Sequence, residues 1–134
     1  MLSGFTKLMR RAAWAPAAVF FAHTFISLVF GHKPGLDPAM HFLGGMAMAY
    51  FFHQLLNLNS YHFGESRRIP RLLLAFCFAT TIAVFWEFME FGGGEATGVY
   101  SQHSIRETMY DQLLGCGGAA SYAILQIILG QRKA

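Results

Sequence analysis

The sequence predicts an all-α fold, a four-helix transmembrane bundle with both termini in the cytoplasm. Three observations carry that reading. Of 134 residues, 54% are hydrophobic and only 13% charged, whereas a soluble domain carries about 25% charged residues. Four runs, 12–31, 38–56, 70–91 and 108–129, are nearly free of charge. Each approaches the ~20 residues that carry a helix across a ~30 Å hydrocarbon core. The cations, finally, alternate sides. Lys7, Arg10, Arg11, Arg67, Arg68, Arg71, Arg132 and Lys133 share one side of a four-crossing chain, with Lys33 and Arg106 opposite. The positive-inside bias makes the first side cytoplasmic. The runs use most of the chain, so residues 1–134 read as one integral membrane domain. Their apolar residues are continuous, without the period-two alternation of a barrel.

The first helix begins at about Ala12, with Pro16 near its start, where proline costs least. No small-x-small cleavage site follows Phe30-Gly31-His32, so this segment reads as a retained helix. His23 lies in mid-span; such a histidine hydrogen-bonds a backbone carbonyl or a neighbouring helix, or serves as a proton station. The second helix starts at Asp37-Pro38, an N-cap acceptor before the residue best tolerated at the first helical position. It runs through His41, Gly44 and Gly45 to about Leu56, the two glycines permitting close contact with the third helix as its expected neighbour, and a polar, basic loop from Asn57 to Ile69 follows.

In the third helix, Ala75, Ala79, Ala83 and Glu87 recur every four residues and Glu90 follows three later. They form one stripe of small residues suited to close helix packing, which aims both glutamates into the bundle. Trp86 suits a membrane interface. Gly92-Gly93-Gly94 is expected to end this helix and open a loop to about Gln102 containing Glu95, Tyr100 and His103. That loop reads as a cover over a site or as plain surface. The fourth helix starts after Ser104 and sets Glu107, Asp111, Gly115 and Gly118 on one face. Cys77 and Cys116 lie at different depths and read as buried, unpaired thiols.

Threading the chain back and forth brings Asp37, His41, Glu87, Glu90, Glu107 and Asp111 to one depth on the outer side. Each helix supplies two of them at i, i+3 or i, i+4 spacing, hence on one face. Ionisable groups at a membrane edge need water, a partner or a cation. Carboxylates with one imidazole resemble the ligand sets of metal sites in helix bundles. Oxygen-rich donors without cysteine favour Mg, Mn, Ca, Fe or Zn over copper(I). His41, Glu87, Glu90 and Asp111 are the expected metal ligands, with Asp37 and Glu107 as further ligands or supports. Asp37 also reads as an N-cap, and Glu107 completes a Ser104-x-x-Glu107 capping box. Glu87 and Glu90 stand at a helix C-terminus, where the dipole disfavours negative charge, so they need a cation, a shared proton or a base such as Arg106 or Lys33.

Asp37-Pro-Ala-Met-His41 with Gly44, then Trp86-Glu87-Phe-Met-Glu90, then Glu107-Thr108-Met-Tyr-Asp111 with Gly117-Gly118 resembles the YjdF-like group of small bacterial membrane proteins. More distantly it is similar to the VanZ-like group. The resemblance covers residues 35–122 and leaves the first helix unmatched. Glu107 stands where the pattern has Asp, which lengthens that arm. The resemblance implies a bacterial inner membrane location and an important acidic site, without a defined reaction.

The expected function is therefore a divalent-cation site at the periplasmic edge, extending to metal-assisted hydrolysis of a lipid-linked or envelope substrate with a glutamate as general base. No serine or cysteine nucleophile motif is evident, and the catalytic residues stay unassigned. The alternative is an accessory or assembly subunit of a larger membrane complex. Ion translocation is weaker, since no continuous polar track leads from His23 to the cytoplasmic side. Membrane lipids, and a membrane-protein partner in the alternative, are the expected partners. The net charge of +3 reads as orientation and lipid contact, and nucleic acid is not expected.

Overall fold

The computed structural model describes residues 4–30, 36–58, 67–99, 102 and 104–131, except the side chains of residues 4, 5, 27, 30 and 131. Within them the architecture is the expected all-α bundle. The elements are α1 (Gly4–Leu8), a π-helical turn (Met9–Ala13), α2 (Trp14–Phe30), α3 (Asp37–Leu58), α4 (Arg68–Thr97) and α5 (Ile105–Gln131). The first two helices and the π turn form one continuous rod, so four rods build the molecule. Lys33, Tyr100, His103, Arg132, Lys133 and most of the Asn57–Ile69 loop lie outside the described residues.

The core is built from small side chains, and the large ones face outward. Ala49, Ala75, Ala79 and Ala119 are buried, while Phe21, Phe25, Leu28, Phe85, Phe88 and Met89 are exposed. A water-soluble chain would invert that arrangement; in lipid, close packing of small faces replaces the hydrophobic drive. Tightest of all is the crossing of α3 and α5. A Cβ on Gly45 would run into the Gly115 carbonyl, and one on Gly118 into that of Phe42. Gly44 instead faces Val19 of α2. The expectation that Gly44 and Gly45 serve contact with the third helix is thus corrected: α3 does pack on α4, but the glycine contact is with α5.

The π turn ends just before Pro16. An i, i+5 bond to the Arg11 carbonyl would need the N–H of residue 16, which is proline and has none. Side chains satisfy that carbonyl instead: Trp14 Nε1 donates to it at 3.1 Å and the Tyr50 hydroxyl at 2.7 Å. The first rod is thereby fastened to α3 at its base.

Two expected boundaries and one expected burial change. Gly92-Gly93-Gly94 does not end the third helix; α4 continues to Thr97 and terminates at Gly98, whose φ of 73° is the left-handed cap conformation. The Gly98 N–H bonds the Gly94 carbonyl at 2.8 Å and Thr97 Oγ1 donates to the Gly93 carbonyl at 2.8 Å. These bonds hold the turn despite its glycines. Asp37 is the first helical residue of α3 and not its N-cap, since the Leu36 carbonyl takes the Met40 N–H at 3.0 Å. Cys77 is exposed, because it lies about 200° around the helix from Ala75. It and Cys116 are both free thiols, as expected.

Two described helices, Arg68–Thr97 and Ile105–Gly130, are long and apolar enough to cross a membrane by length and composition. The other two rods fall short of that test for legible reasons. α2 has only 17 residues beyond the π turn, and Asp37, His41, His53 and Gln54 dilute the apolar character of α3.

Candidate metal centre

His41, one turn into α3, is the hub of the acidic end. Its Nε2 lies 3.8 Å from Asp37 Oδ1, one turn back on the same helix, and 3.9 Å from Asp111 Oδ2 on α5. Its Nδ1 lies 3.9 Å from Glu87 Oε1 on α4. Three helices thus contribute to one imidazole. Backbone proximity makes this possible: a Cβ on Gly115 would stand 3.2 Å from Ala83 and 3.9 Å from the His41 carbonyl. Small residues at this junction let α3, α4 and α5 meet just below the polar groups.

The donors form two sets that share His41. Asp37, His41 and Asp111 have ligand atoms within 4.8 Å of one another, and so do His41, Glu87 and Glu90. Because the first set meets Nε2 and Glu87 meets Nδ1, the ring stands between two carboxylate pairs. A neutral imidazole carries one N–H and one lone pair, so it can ligate on one face while donating on the other. The distances of 3.8–3.9 Å exceed hydrogen-bond range. The ligand atoms of a tetrahedral zinc site stand about 3.4 Å apart, so a contraction of about half an ångström would bring each of these three His41 contacts to that spacing.

Burial sharpens the electrostatics. Glu87 is 3% exposed and Asp111 7%. Around them four carboxylates face two imidazoles, His41 and His23, the latter with Nε2 at 3.3 Å from Asp37 Oδ1. Even two fully protonated rings would leave two negative charges for protons or a cation to offset. Arg106, offered as a basic partner, has its guanidinium over the Tyr110 ring, 5.5 Å from the centroid. No ion pair joins it to the glutamates among the described residues.

Five of the six expected residues converge in these two sets; Glu107 belongs to neither. Its backbone N–H donates to Ser104 Oγ at 3.1 Å and the Ser104 carbonyl takes the Thr108 N–H at 3.1 Å, which is N-capping by Ser104. Glu107 lines an open cavity of about 520 Å³ together with Asp37, Arg106, Tyr110 and Asp111. Two site residues escaped the sequence reading. His23 was read as bonding a backbone carbonyl or a neighbouring helix, or as a proton station; its Nε2 stands 3.3 Å from Asp37 Oδ1, in the acidic set itself. Gln102 was only a loop boundary. Its Nε2 donates to Glu87 Oε2 at 2.7 Å and to the Glu87 carbonyl at 3.0 Å. An amide in a short connection leaves no periodic signal, whereas the position of His23 in an apolar run was such a signal.

Residues 10–132 match the family described as predicted membrane protein (DUF2238). The chain belongs to this family. The match takes in α2 and every candidate ligand, so it reaches beyond the 35–122 segment of the sequence resemblance. It accords with the YjdF-like likeness and lends nothing to the VanZ-like one. A Thermotoga maritima protein, described as uncharacterized, is 34% identical over 85 residues, which make up 60% of this chain and 43% of that protein. The chain thus spans less than half the length of the curated relative it matches. No solved structure matches.

Proposed function

We propose that this DUF2238 protein crosses the inner membrane four times with both termini in the cytoplasm, and that it holds one divalent cation at the periplasmic end. Asp37, Asp111 and His41 Nε2 are the ligands on this reading. Glu87 would accept from Nδ1–H once the site draws in around the ion, and Glu90 lies beside it. The carrying observation is that one imidazole faces carboxylates through both nitrogens, at distances too long for direct hydrogen bonds. Assigning the ion to the Nε2 face follows from Gln102. Its amide fixes Glu87 as an acceptor, and metal-bound histidines commonly give their second N–H to an oriented carboxylate. Orientation in the membrane is supported by Arg11, Arg68 and Arg71, which bond at the end of the bundle opposite the acidic groups. The Tyr50 hydroxyl caps the Arg11 carbonyl, Arg68 donates to the Gln126 carbonyl and Arg71 to Asn57.

Bound there, the cation would acidify a coordinated water and supply a nucleophile at neutral pH. Hydrolysis of a lipid-linked substrate is the reaction class this fits.

The test is metal content of the purified protein by mass spectrometry, after loading with zinc or manganese and exhaustive dialysis. The wild type should retain one ion per chain, Asp111→Asn should retain none, and Glu90→Gln should retain it. An empty wild type that stays folded would overturn the reading and leave proton sharing or a partner's cation as the explanation of the cluster.

A further inference from the structure

A second cavity adjoins this site from the hydrocarbon side. It measures about 260 Å³ and is lined by Pro16, Val19, Met48, Ala79, Ile82 and Trp86 among others, with His23 and His41 as its ionisable side chains. Its walls are α2 and α4 and its floor is α3. The α2 backbone packs on α3 and not on α4, so a cleft runs between the first and third rods. Phe20 and Trp86 meet edge-on across it, centroids 6.1 Å apart. From Pro16 to His23, Met40 to Met48 and Ala79 to Trp86 the lining spans eight or nine residues on each helix, a depth of about 10–12 Å. A 150 Å³ apolar cavity takes benzene, so on that scale 260 Å³ takes about ten carbon atoms.

His41 is shared by the apolar cavity and by the acidic site, whose Asp37 and Asp111 line the outer cavity with Arg106. The two cavities share no lining residue, but His41 stands between them, so the surfaces follow one another in the order hydrocarbon, imidazole, then carboxylates and a guanidinium. That order of surfaces is the outline of an amphiphile. We infer that the cleft between α2 and α4 takes the first ten or so carbons of a single lipid chain, whose anionic phosphate head lies at Arg106 and the Asp37–His41–Asp111 face. The head-group half rests on the ion site proposed above, because carboxylates alone would repel a phosphate; the chain half does not. Longer chains leave through the open side of the cleft into the bilayer.

Gly44 gives a clean way to fill the cleft. A Cβ there meets nothing nearer than Val19 Cγ1 at 4.0 Å, whereas one on Gly45 strikes backbone. The full chain, in phosphatidylcholine nanodiscs, is loaded with zinc and photolabelled with decyl phosphate bearing a diazirine at the chain terminus. Labelled peptides are then mapped. The expected result is labelling concentrated on Pro16, Val19, Met48 and Ile82. It should fall at least tenfold in Gly44→Leu and in Ile82→Trp with zinc content unchanged, and weaken in Arg106→Gln.

Label spread over the outward faces and indifferent to Gly44→Leu and Ile82→Trp would overturn the inference, leaving ordinary annular lipid in the cleft. A diazirine decanol that labels the cleft as strongly as the phosphate would overturn the anionic head. If zinc is not retained yet decyl phosphate still labels the cleft and Gly44→Leu abolishes it, the ion reading fails while the chain site stands.

Discussion

The bundle carries one histidine hub at each end, His41 and His53, on the same helix, and it treats them in opposite ways. His53 is buried and its Nδ1 is 2.8 Å from the Tyr122 hydroxyl. Tyr50 packs against Tyr122 with ring centroids 6.1 Å apart, and its own hydroxyl bonds the Arg11 carbonyl. Neutral donors and acceptors meet there at hydrogen-bond distance. At the other end His41 has carboxylates on both sides and none within that distance. The first arrangement is complete with what the protein supplies; the second has the spacing and charge of a shell around something else. A buried polar group is stabilising when satisfied and costly when not. The difference therefore separates a histidine complete in its own bonds from one whose partners stand apart more firmly than burial does, since the two rings are buried to similar degrees.

The largest expected effect comes from exchanging the two roles. His41→Ala should abolish zinc retention while leaving the melting temperature of the metal-free protein unchanged or higher, because it removes a group that never closed its bonds. His53→Ala should do the reverse, keeping the ion and lowering stability. Zinc content and thermal unfolding in chelator, measured on both variants, check the pair. A loss of metal in His53→Ala would erase the distinction.

Next comes Gln102→Leu, which frees the Glu87 carboxylate that orients His41. Loss of such an outer partner weakens metal affinity by about 10–100-fold, readable by competition with a chelator of known affinity. Tyr122→Phe is a smaller perturbation. It leaves the His53 ring without its partner and should cost about 1 kcal/mol, with metal affinity unchanged. Ser104→Ala removes the cap that starts α5 close to Asp111. The expected cost is about 0.5–1 kcal/mol, seen as earlier thermal unfolding, with the ion still bound.

The acidic end was largely legible in the sequence because depth in a bilayer can be counted along each helix. That count placed Asp37, His41, Glu87 and Asp111 together, and the Ala75–Ala79–Ala83 stripe gave the inward face of α4. What could not be counted was which helix stands opposite which. Gly45 was matched to the third helix because nothing along one chain segment states that its neighbour is Gly115 of the fourth. The same ignorance left the ligands as one set. Asp111 was grouped with His41, Glu87 and Glu90, and the structure sets it at the other nitrogen of His41 from Glu87, beside Asp37. Gly92-Gly93-Gly94 misled for a different reason: propensity disfavours a glycine helix by about 1 kcal/mol per residue, and the bonds that hold it, to Gly98 and Thr97, lie beyond the run itself.

The small-residue core has a consequence for how such a chain can change over generations. In most proteins the interior resists substitution by anything smaller and the surface drifts. Here the alanines and glycines at the crossings of α3, α4 and α5 resist anything larger, while the bulky outward residues can trade among themselves so long as they stay apolar. Related sequences should therefore diverge most at their phenylalanines and leucines and least at their smallest residues, an inversion of the usual pattern of tolerance.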